Sequence, residues 1–217
     1  MSWLRAAFEL LLPPACAGCG RATRELPLCG GCRLPRVDAI GPPPPPLTGW
    51  CAATLHEGVA AEWVRRFKYP ARGIAGLDLA AEAVALGLMR ELATRVAGGP
   101  PDLVVPVPLH PRRLRERGFS PTLALARALA RAAHAPLAPV LLERPRDTPS
   151  QTHLSRAARR RNVAGAFRAR GAAPARVWLV DDVVTTGSTL AAAGGALRAA
   201  GAREIVGVCL AWRPLLG

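Results

Sequence analysis

The sequence predicts an α/β fold in which a parallel sheet is covered by helices on both faces. Short hydrophobic segments alternate with segments of helical period along most of the chain, and this alternation is typical of parallel sheets. Half of the 217 residues are hydrophobic, which is enough for a core. No apolar run approaches the roughly 18 residues of a membrane-spanning helix, so the sequence predicts no membrane partner.

The individual elements follow from local patterns. Ser2 can cap a short helix over residues 3–12, which Pro13 and Pro14 end. Ser120 and Pro121 are typical of a helix start, because serine caps the helix and proline fits its first position. We predict strands at Trp50–Leu55, Asp102–Val107, Val140–Leu142, Arg176–Val180 and Glu204–Ala211. We predict helices at Val59–Phe67, Leu77–Val96, from Ser120 to about His134, at Ser155–Ala166 and at Ser188–Ala200.

A run of five prolines, Pro42–Pro46, separates the first part of the chain from the rest. Such a run favours an extended polyproline spacer. We therefore predict three parts: an N-terminal helix and cysteine-rich domain at 1–41, a proline-rich linker at 42–49 and the sheet domain at 50–217.

Four clustered cysteines predict a metal site. Cys16, Cys19, Cys29 and Cys32 have the spacing C-x2-C-x9-C-x2-C, in which paired thiolates can converge on one tetrahedral ion. Four protein ligands leave no open position, so the predicted metal is a structural zinc. Reduced thiolates favour the cytoplasm, since disulfides persist in oxidising compartments. Cys51 and Cys209 stand alone in apolar segments and are predicted core residues.

Positive charge is concentrated in one part of the chain. The net charge is +14, and Lys68 is the single lysine among 29 basic residues. The segment 105–170 holds 14 arginines and three acidic residues, a distribution that suits either solvated helix faces or an anionic ligand. Because arginine is so strongly preferred elsewhere, Lys68 indicates a site that favours a compact ammonium group, unless it simply complements a helix end.

The most informative segment spans residues 177–189. A hydrophobic strand leads into Asp181 and Asp182, and a turn rich in hydroxyl groups then opens a helix. A helix N-terminus offers backbone N–H groups and a positive dipole end to a phosphate. The turn residues that can add contacts are Thr185, Thr186, Gly187, Ser188 and Thr189. Carboxylates repel phosphate, so the two aspartates are better suited to sugar hydroxyls or a metal.

This segment resembles the phosphoribosyl pyrophosphate (PRPP) motif of type I phosphoribosyltransferases. The resemblance implies that Asp181 and Asp182 hold the ribose 2′- and 3′-hydroxyls, that residues 185–189 hold the 5′-phosphate, and that Mg2+ accompanies PRPP. Residues 105–119, 146–151 and 154–163 and the cysteine pairs resemble the ComF/GntX (competence protein F) family over essentially the whole chain. A type I phosphoribosyltransferase fold with a small four-cysteine zinc subdomain is therefore expected.

The same resemblance extends the predicted site beyond the motif. The loop after Val107 fits the pyrophosphate loop, with Pro108, Leu109, His110, Arg112, Arg113 and the distant Lys68 as candidates. A guanidinium offers phosphate a planar, bidentate fork. Arg112 and Arg113 are preferred over Arg117 because they lie closest to the strand end. Residues 144–161 are a candidate lid, which would exclude water from an activated sugar.

The sequence supports two functions. In the first, the protein is an enzyme of nucleotide metabolism or salvage that transfers phosphoribosyl from Mg-PRPP to an unknown acceptor and releases pyrophosphate. In the second, it is a non-catalytic PRPP or nucleotide sensor, or an accessory factor in competence (DNA uptake and transformation). Single-stranded DNA or the competence machinery would then be the partner. No segment identifies an acceptor pocket, and the oligomeric state is open.

Overall fold

The computed structural model describes residues 16, 21–22, 28–32, 34, 37, 40–69, 79–147 and 161–214. The predicted helix over residues 3–12, Cys19, and residues 148–160 of the candidate lid lie outside these ranges. Among the described residues, no helix combines the length and the apolar character that crossing a bilayer requires.

The element order is that of an α/β protein and confirms the predicted class. In chain order the elements are β1 (Gly49–Leu55), α1 (Gly58–Lys68), α2 (Leu79–Ala93), β2 (Leu103–Pro106), α3 (Pro111–Arg117), α4 (Pro121–Ala132), β3 (Leu142–Glu143), β4 (Arg168–Ala169), β5 (Arg176–Val184), α5 (Ser188–Ala199) and β6 (Glu204–Trp212). A 3-10 turn, Gly30–Cys32, precedes them.

Four parallel strands form the main sheet in the order β1-β6-β5-β2. Strand β5 is central, and its register with β6 runs from Arg176 opposite Glu204 to Val184 opposite Trp212. Strands β3 and β4 form a separate antiparallel pair. Because the strands are parallel, their carboxyl ends meet at one edge, where ligands bind in such sheets.

Both faces of the sheet are buried, as the near-continuous apolar strands predict. Along β5, Trp178 and Val180 belong to a core with α1, α2 and α4, whereas Val177 and Leu179 belong to a second core with α5. This alternation follows from the two-residue period of a strand. It also sends successive residues at the end of β5 to opposite sides of the sheet.

Two boundaries differ from the sequence prediction in ways that matter for the site. Strand β5 continues to Val184, so Asp181 and Asp182 lie within it rather than after it, because β6 pairs with it along its whole length. The arginine-rich segment predicted as loop forms helix α3, since His110 caps it and Pro111 occupies its first turn.

The proline run is not an extended spacer. Residues 45 and 46 form a turn, and the Leu47 N–H donates to the Pro44 carbonyl at 3.1 Å. Leu47 is only 6% exposed and packs in the α5 core. We call residues 40–47 the strap. Burial of its apolar side chains against α5 stabilises this folded path over a solvated polyproline helix. The division of the chain at residues 42–49 stays a prediction.

Candidate functional site

A cavity of about 340 Å³ opens at the carboxyl edge of the sheet. Each of the four strands contributes to it: His56 follows β1, Arg213 follows β6, the turn 185–189 follows β5, and Val107 follows β2. The cavity therefore lies where the topology of a parallel sheet places a ligand.

The turn after β5 is shaped for close approach to a ligand. Gly187 is the N-cap of α5 with φ +73°, a left-handed conformation that favours glycine. The Thr186 hydroxyl lies 2.7 Å from the Ser188 hydroxyl and accepts the Ser188 N–H at 3.3 Å. All five predicted phosphate residues line the cavity, and α5 directs its positive N-terminal end at it.

The strap forms the wall behind this turn. A Cβ atom at Gly187 would lie 2.7 Å from Pro44 Cγ and 2.7 Å from Trp50 Cζ3. The Trp50 indole N–H in turn donates to the carbonyls of Ile40 and Gly41, at 2.9 and 2.7 Å. Gly187 is thus required for space as well as for backbone conformation. Sequence reasoning missed this wall, because no local signal places a proline run against a loop 140 residues away.

The two aspartates face opposite sides of the sheet and have different partners. Asp182 Oδ1 lies 2.9 Å from Lys68 Nζ at the end of α1, and it also accepts the Val183 N–H at 2.6 Å. Asp181 Oδ1 accepts the Asp182 N–H at 2.8 Å. Burial and the neighbouring Asp182 raise the pKa of Asp181 to about 7. The pair therefore combines a carboxylate held by an ammonium with one that is easily protonated.

Helix α3 presents a different set of side chains from the one predicted. Arg113 and Arg117 line the cavity together with Pro108 and Leu109, whereas His110 and Arg112 are not in its lining. Arg113 and Arg117 are four residues apart and so share one face of the helix. The predicted preference for Arg112 and Arg113 over Arg117 as ligand contacts stays a prediction, and of these three residues Arg113 and Arg117 line the cavity.

The two remaining candidates of the loop serve α3 itself. His110 Nδ1 accepts the Arg112 N–H at 3.3 Å as the helix cap. The Arg112 guanidinium lies on the exposed side, 2.9 Å from Glu116. Arg117 stacks over the Tyr69 ring with its Cζ 4.6 Å from the ring centroid.

Arg144 is a cavity residue that sequence reasoning missed. It follows β3, is only 8% exposed, and lines the cavity. Its Cζ lies 5.2 Å from the centroid of the Phe167 ring. Burial and the charge of Arg113 lower the pKa of Arg144, while Asp181 and Asp147 act in the opposite direction. Nothing in the local pattern distinguishes it from the other 13 arginines of segment 105–170.

Three of the four predicted metal ligands converge in space. The Sγ atoms of Cys16, Cys29 and Cys32 lie within 4.8 Å of one another, and the Cys29 N–H donates to Cys16 Sγ at 3.3 Å. This set can hold a thiophilic metal ion. Cys19 lies outside the described residues.

The other two cysteines have the packing role expected of them. Cys209 is fully buried in the α5 core, and Cys51 packs against the other core. Burial raises the pKa of the Cys51 thiol to about 12, so this group is not a thiolate at neutral pH.

Sequence relatives place the chain in a family. It is 33% identical over 205 residues to the DNA utilization protein YhgH of Escherichia coli (strain K12), a match that covers 90% of this chain and 88% of the relative. The chain belongs to the ComF/GntX family. Competence protein F of Haemophilus influenzae is 38% identical to this ComF/GntX chain over 109 residues, 48% of each protein. No protein-family model matches it.

Solved structures similar to this ComF/GntX chain include an amidotransferase and a phosphoribosyltransferase. Glutamine PRPP amidotransferase from B. subtilis, complexed with ADP and GMP, is 24% identical over 67% of this chain, with a TM-score of 0.43. This chain spans 30% of that protein's length. Purine phosphoribosyltransferase from Pyrococcus horikoshii is 19% identical over 63% of this chain and 81% of its own, with a TM-score of 0.35. With both TM-scores below 0.5, the family assignment rests on the sequence relatives.

Proposed function

We propose that this protein binds PRPP, or a related phosphoribosyl ligand, with Mg2+ in the cavity at the carboxyl edge of the sheet. The observation that carries the proposal is the meeting of a hydroxyl-rich helix N-terminus, two carboxylates and several cations around one cavity. The cations are Lys68, Arg113, Arg117, Arg144 and Arg213.

Each group has a role that its chemistry supports. The turn 185–189 receives the 5′-phosphate, because the N-terminus of α5 and the hydroxyls supply donors. Asp181 and Asp182 accept hydrogen bonds from the ribose hydroxyls. Their carboxylate oxygens at the cavity wall also suit Mg2+, which would be held chiefly by the ligand's own oxygens and water and would offset the charge of its phosphates.

The same arrangement supports transfer of the phosphoribosyl group to an acceptor. The bond from ribose C1 to pyrophosphate breaks, pyrophosphate leaves with the bonding electrons, and an acceptor nucleophile forms the new bond to C1. Carboxylates near the sugar stabilise its developing positive charge, and arginines stabilise the leaving anion. This reaction belongs to nucleotide metabolism or salvage, with an acceptor still to be identified.

A second candidate function is a non-catalytic one. The relatives named as DNA utilization and competence proteins support an accessory factor in DNA uptake that senses PRPP or a nucleotide. Single-stranded DNA or the competence machinery would then be its partner. Both functions use the same cavity, and they differ in whether pyrophosphate is released.

Calorimetric titration of PRPP with Mg2+ tests the binding shared by both functions. Replacing both aspartates, Asp181→Asn with Asp182→Asn, should weaken PRPP binding by at least about tenfold, since each charge-assisted hydrogen bond contributes about 1.5–3 kcal/mol. Glu91→Gln removes one exposed charge on α2 and should leave the affinity unchanged. Equal PRPP affinity in the double variant and the wild type would refute the proposal. Binding without pyrophosphate release from any nucleobase acceptor would favour the second candidate.

We also propose that the clustered cysteines hold one structural zinc ion, with Cys19 as the fourth ligand. Elemental analysis of protein purified without added metal should find one zinc per chain. Cys29→Ser should lose the zinc and destabilise the N-terminal region, because structural zinc in comparable peptides contributes roughly 10–16 kcal/mol. Cys51→Ser, a cysteine outside the cluster, should retain it. Full zinc content in Cys29→Ser would contradict the assignment.

A further inference from the structure

The strap connects the cysteine cluster to the back of the turn 185–189, and its hydrogen bonds are of an unusual kind. Its consecutive prolines have no backbone N–H, so they cannot donate to a neighbouring strand. The strap is held through its carbonyls instead. Those of Ile40 and Gly41 accept the Trp50 indole N–H. That of Pro46 accepts from Arg198 Nη2 at 3.2 Å. The position of the strap therefore depends strongly on the anchors at its two ends.

These two anchors come from different parts of the chain. After the strap, the Thr48 N–H donates to the Ile205 carbonyl at 2.9 Å, which fixes this end to strand β6. Before the strap, the Val37 carbonyl accepts from Arg95 Nη2 at 3.0 Å, and Val37 is buried in the α5 core. Cys32 of the cysteine cluster, which is also buried, precedes Val37 in the chain. The cluster thus lies at the upstream end of the segment that leads into the strap.

The strap meets the turn through one close contact. A Cβ atom at Gly187 would lie 2.7 Å from Pro44 Cγ, so this proline ring lies directly behind the backbone of the turn. Proline fixes φ at about −65°, which stiffens the run and lets a displacement at one end reach the other. Gly187 caps α5, and its carbonyl accepts the Ala191 N–H at 2.8 Å. A loss of support from Pro44 would therefore act on the first turn of α5.

The state of the upstream end depends on whether a metal is bound. The Sγ atoms of Cys16, Cys29 and Cys32 lie within 4.8 Å of one another. Zinc binds such groups as thiolates, and the free energy of binding also folds the segment that carries them. Zinc therefore holds the chain that leads into the strap, and loss of zinc releases it.

We propose that the strap couples the metal state of the cysteine cluster to the turn 185–189, so that zinc binding stabilises the ligand-receiving form of the turn. The inference rests on the proposed zinc site and goes beyond the proposed phosphoribosyl function, because the coupling acts on the turn whatever ligand it receives. Coupling between two sites is reciprocal. A change that loosens the strap at Trp50 must therefore also weaken zinc binding.

Hydrogen exchange of the full chain, with zinc and after removal of zinc by a chelator, tests the coupling without any ligand. The Ala191 amide reports on the first turn of α5. The Val104 amide, which donates to the Pro136 carbonyl at 2.9 Å, reports on strand β2. Removal of zinc should accelerate exchange at Ala191 at least about fivefold more than at Val104. Equal changes at the two amides would mean that zinc alters only the free energy of global unfolding, and would overturn the coupling.

The reciprocal measurement is the zinc affinity, determined by competition with a chromophoric chelator. Trp50→Phe removes the indole N–H that binds the strap and should weaken zinc binding by about three- to tenfold. The matched control is Trp178→Phe, because the buried Trp178 indole N–H has no hydrogen-bond partner among the described residues. Its zinc affinity should stay within about twofold of wild type. Unchanged zinc affinity in Trp50→Phe would contradict the coupling.

An insertion keeps the coupling testable if removal of zinc unfolds the whole chain. A short glycine–serine insert between positions 38 and 39 separates the cluster from the strap and leaves every cysteine in place. This variant should retain its zinc, yet the Ala191 amide should exchange faster than in the wild type relative to Val104. Exchange at Ala191 as slow as in the wild type would overturn the coupling.

The outcomes also distinguish the coupling from the proposals around it. A wild-type chain that takes up no zinc would overturn the zinc assignment on which the coupling rests. A chain that takes up zinc but shows the same turn with and without it would overturn the coupling alone. PRPP enters none of these measurements, so their results do not depend on the phosphoribosyl function.

Discussion

The two halves of the cavity are built in different ways. In the motif half, formed by β5, the turn and α5, the two aspartates and the five residues proposed to bind phosphate fall within nine consecutive positions, 181–189. In the arginine half, formed by α3 and the β3–β4 pair, the side chains come from segments about 30 residues apart and are oriented by still others, such as Phe167. The motif half depends on local geometry, and the arginine half depends on tertiary packing. Substitutions should therefore affect the two halves differently.

The largest effect should come from Gly187→Val in the motif half. Its φ of +73° costs a side chain roughly 1–2 kcal/mol, and the contacts with Pro44 and Trp50 add an overpacking cost of about 1–3 kcal/mol. Urea denaturation should show a loss of about 2–5 kcal/mol, together with loss of PRPP binding. The matched control is Gly195→Ala in the same helix, where a Cβ meets nothing within 4 Å. If Gly187→Val were as stable as the wild type, Pro44 and Trp50 would not restrict the space for a side chain at this position.

The next largest effect distinguishes the two aspartates, because replacing them should change the free energy of unfolding in opposite directions. Asp182→Asn removes the carboxylate that pairs with Lys68 at 2.9 Å and should lower the free energy of unfolding by about 1–3 kcal/mol. Asp181→Asn should instead raise it at pH 8, by about 1–4 kcal/mol, because it removes a buried charge.

The pH dependence provides the check on Asp181. Its pKa is raised from 3.8 to about 7, so between these values the native state keeps a proton that the unfolded state releases. Wild-type stability therefore falls as the pH rises through this window. The advantage of Asp181→Asn should shrink as the pH is lowered from 7 and vanish below about pH 4. An advantage that is constant from pH 4 to 8 would show that Asp181 does not titrate in this range.

The motif half could be predicted from the sequence, whereas most of the arginine half could not. The parallel sheet and the cavity-lining turn follow from patterns within short windows. Arg144 could not be predicted, because its burial depends on a two-residue strand pair and on an aromatic ring 23 positions away. The choice between Arg112 and Arg117 depended on whether the segment is a loop or a helix. Distance from the strand end is the relevant measure only for a loop.

The smallest effect should come from His110→Ala in the arginine half. His110 caps α3 through a long 3.3 Å contact, so its loss should cost less than about 1 kcal/mol. PRPP affinity should change by less than about twofold, because the side chain does not line the cavity. His110→Asn, which preserves a capping acceptor, should behave as wild type. A tenfold loss of PRPP affinity in His110→Ala would show that this histidine contributes to ligand binding, and would add it to the arginine half.

The strap limits how this protein can be divided into pieces. A fragment that starts at residue 50 keeps residues 177–189 and every residue of the four-stranded sheet except Gly49. It lacks Pro44, which lies behind the turn 185–189, and Leu47, which lies against Gly194 and Gly207. Its helix α5 would expose an apolar groove to water. A recombinant fragment that keeps the strap behind the turn 185–189 therefore begins no later than Ile40, whose carbonyl also accepts the Trp50 indole N–H. Fusion or domain-swapping designs that cut within the proline run would separate the turn from its own back wall.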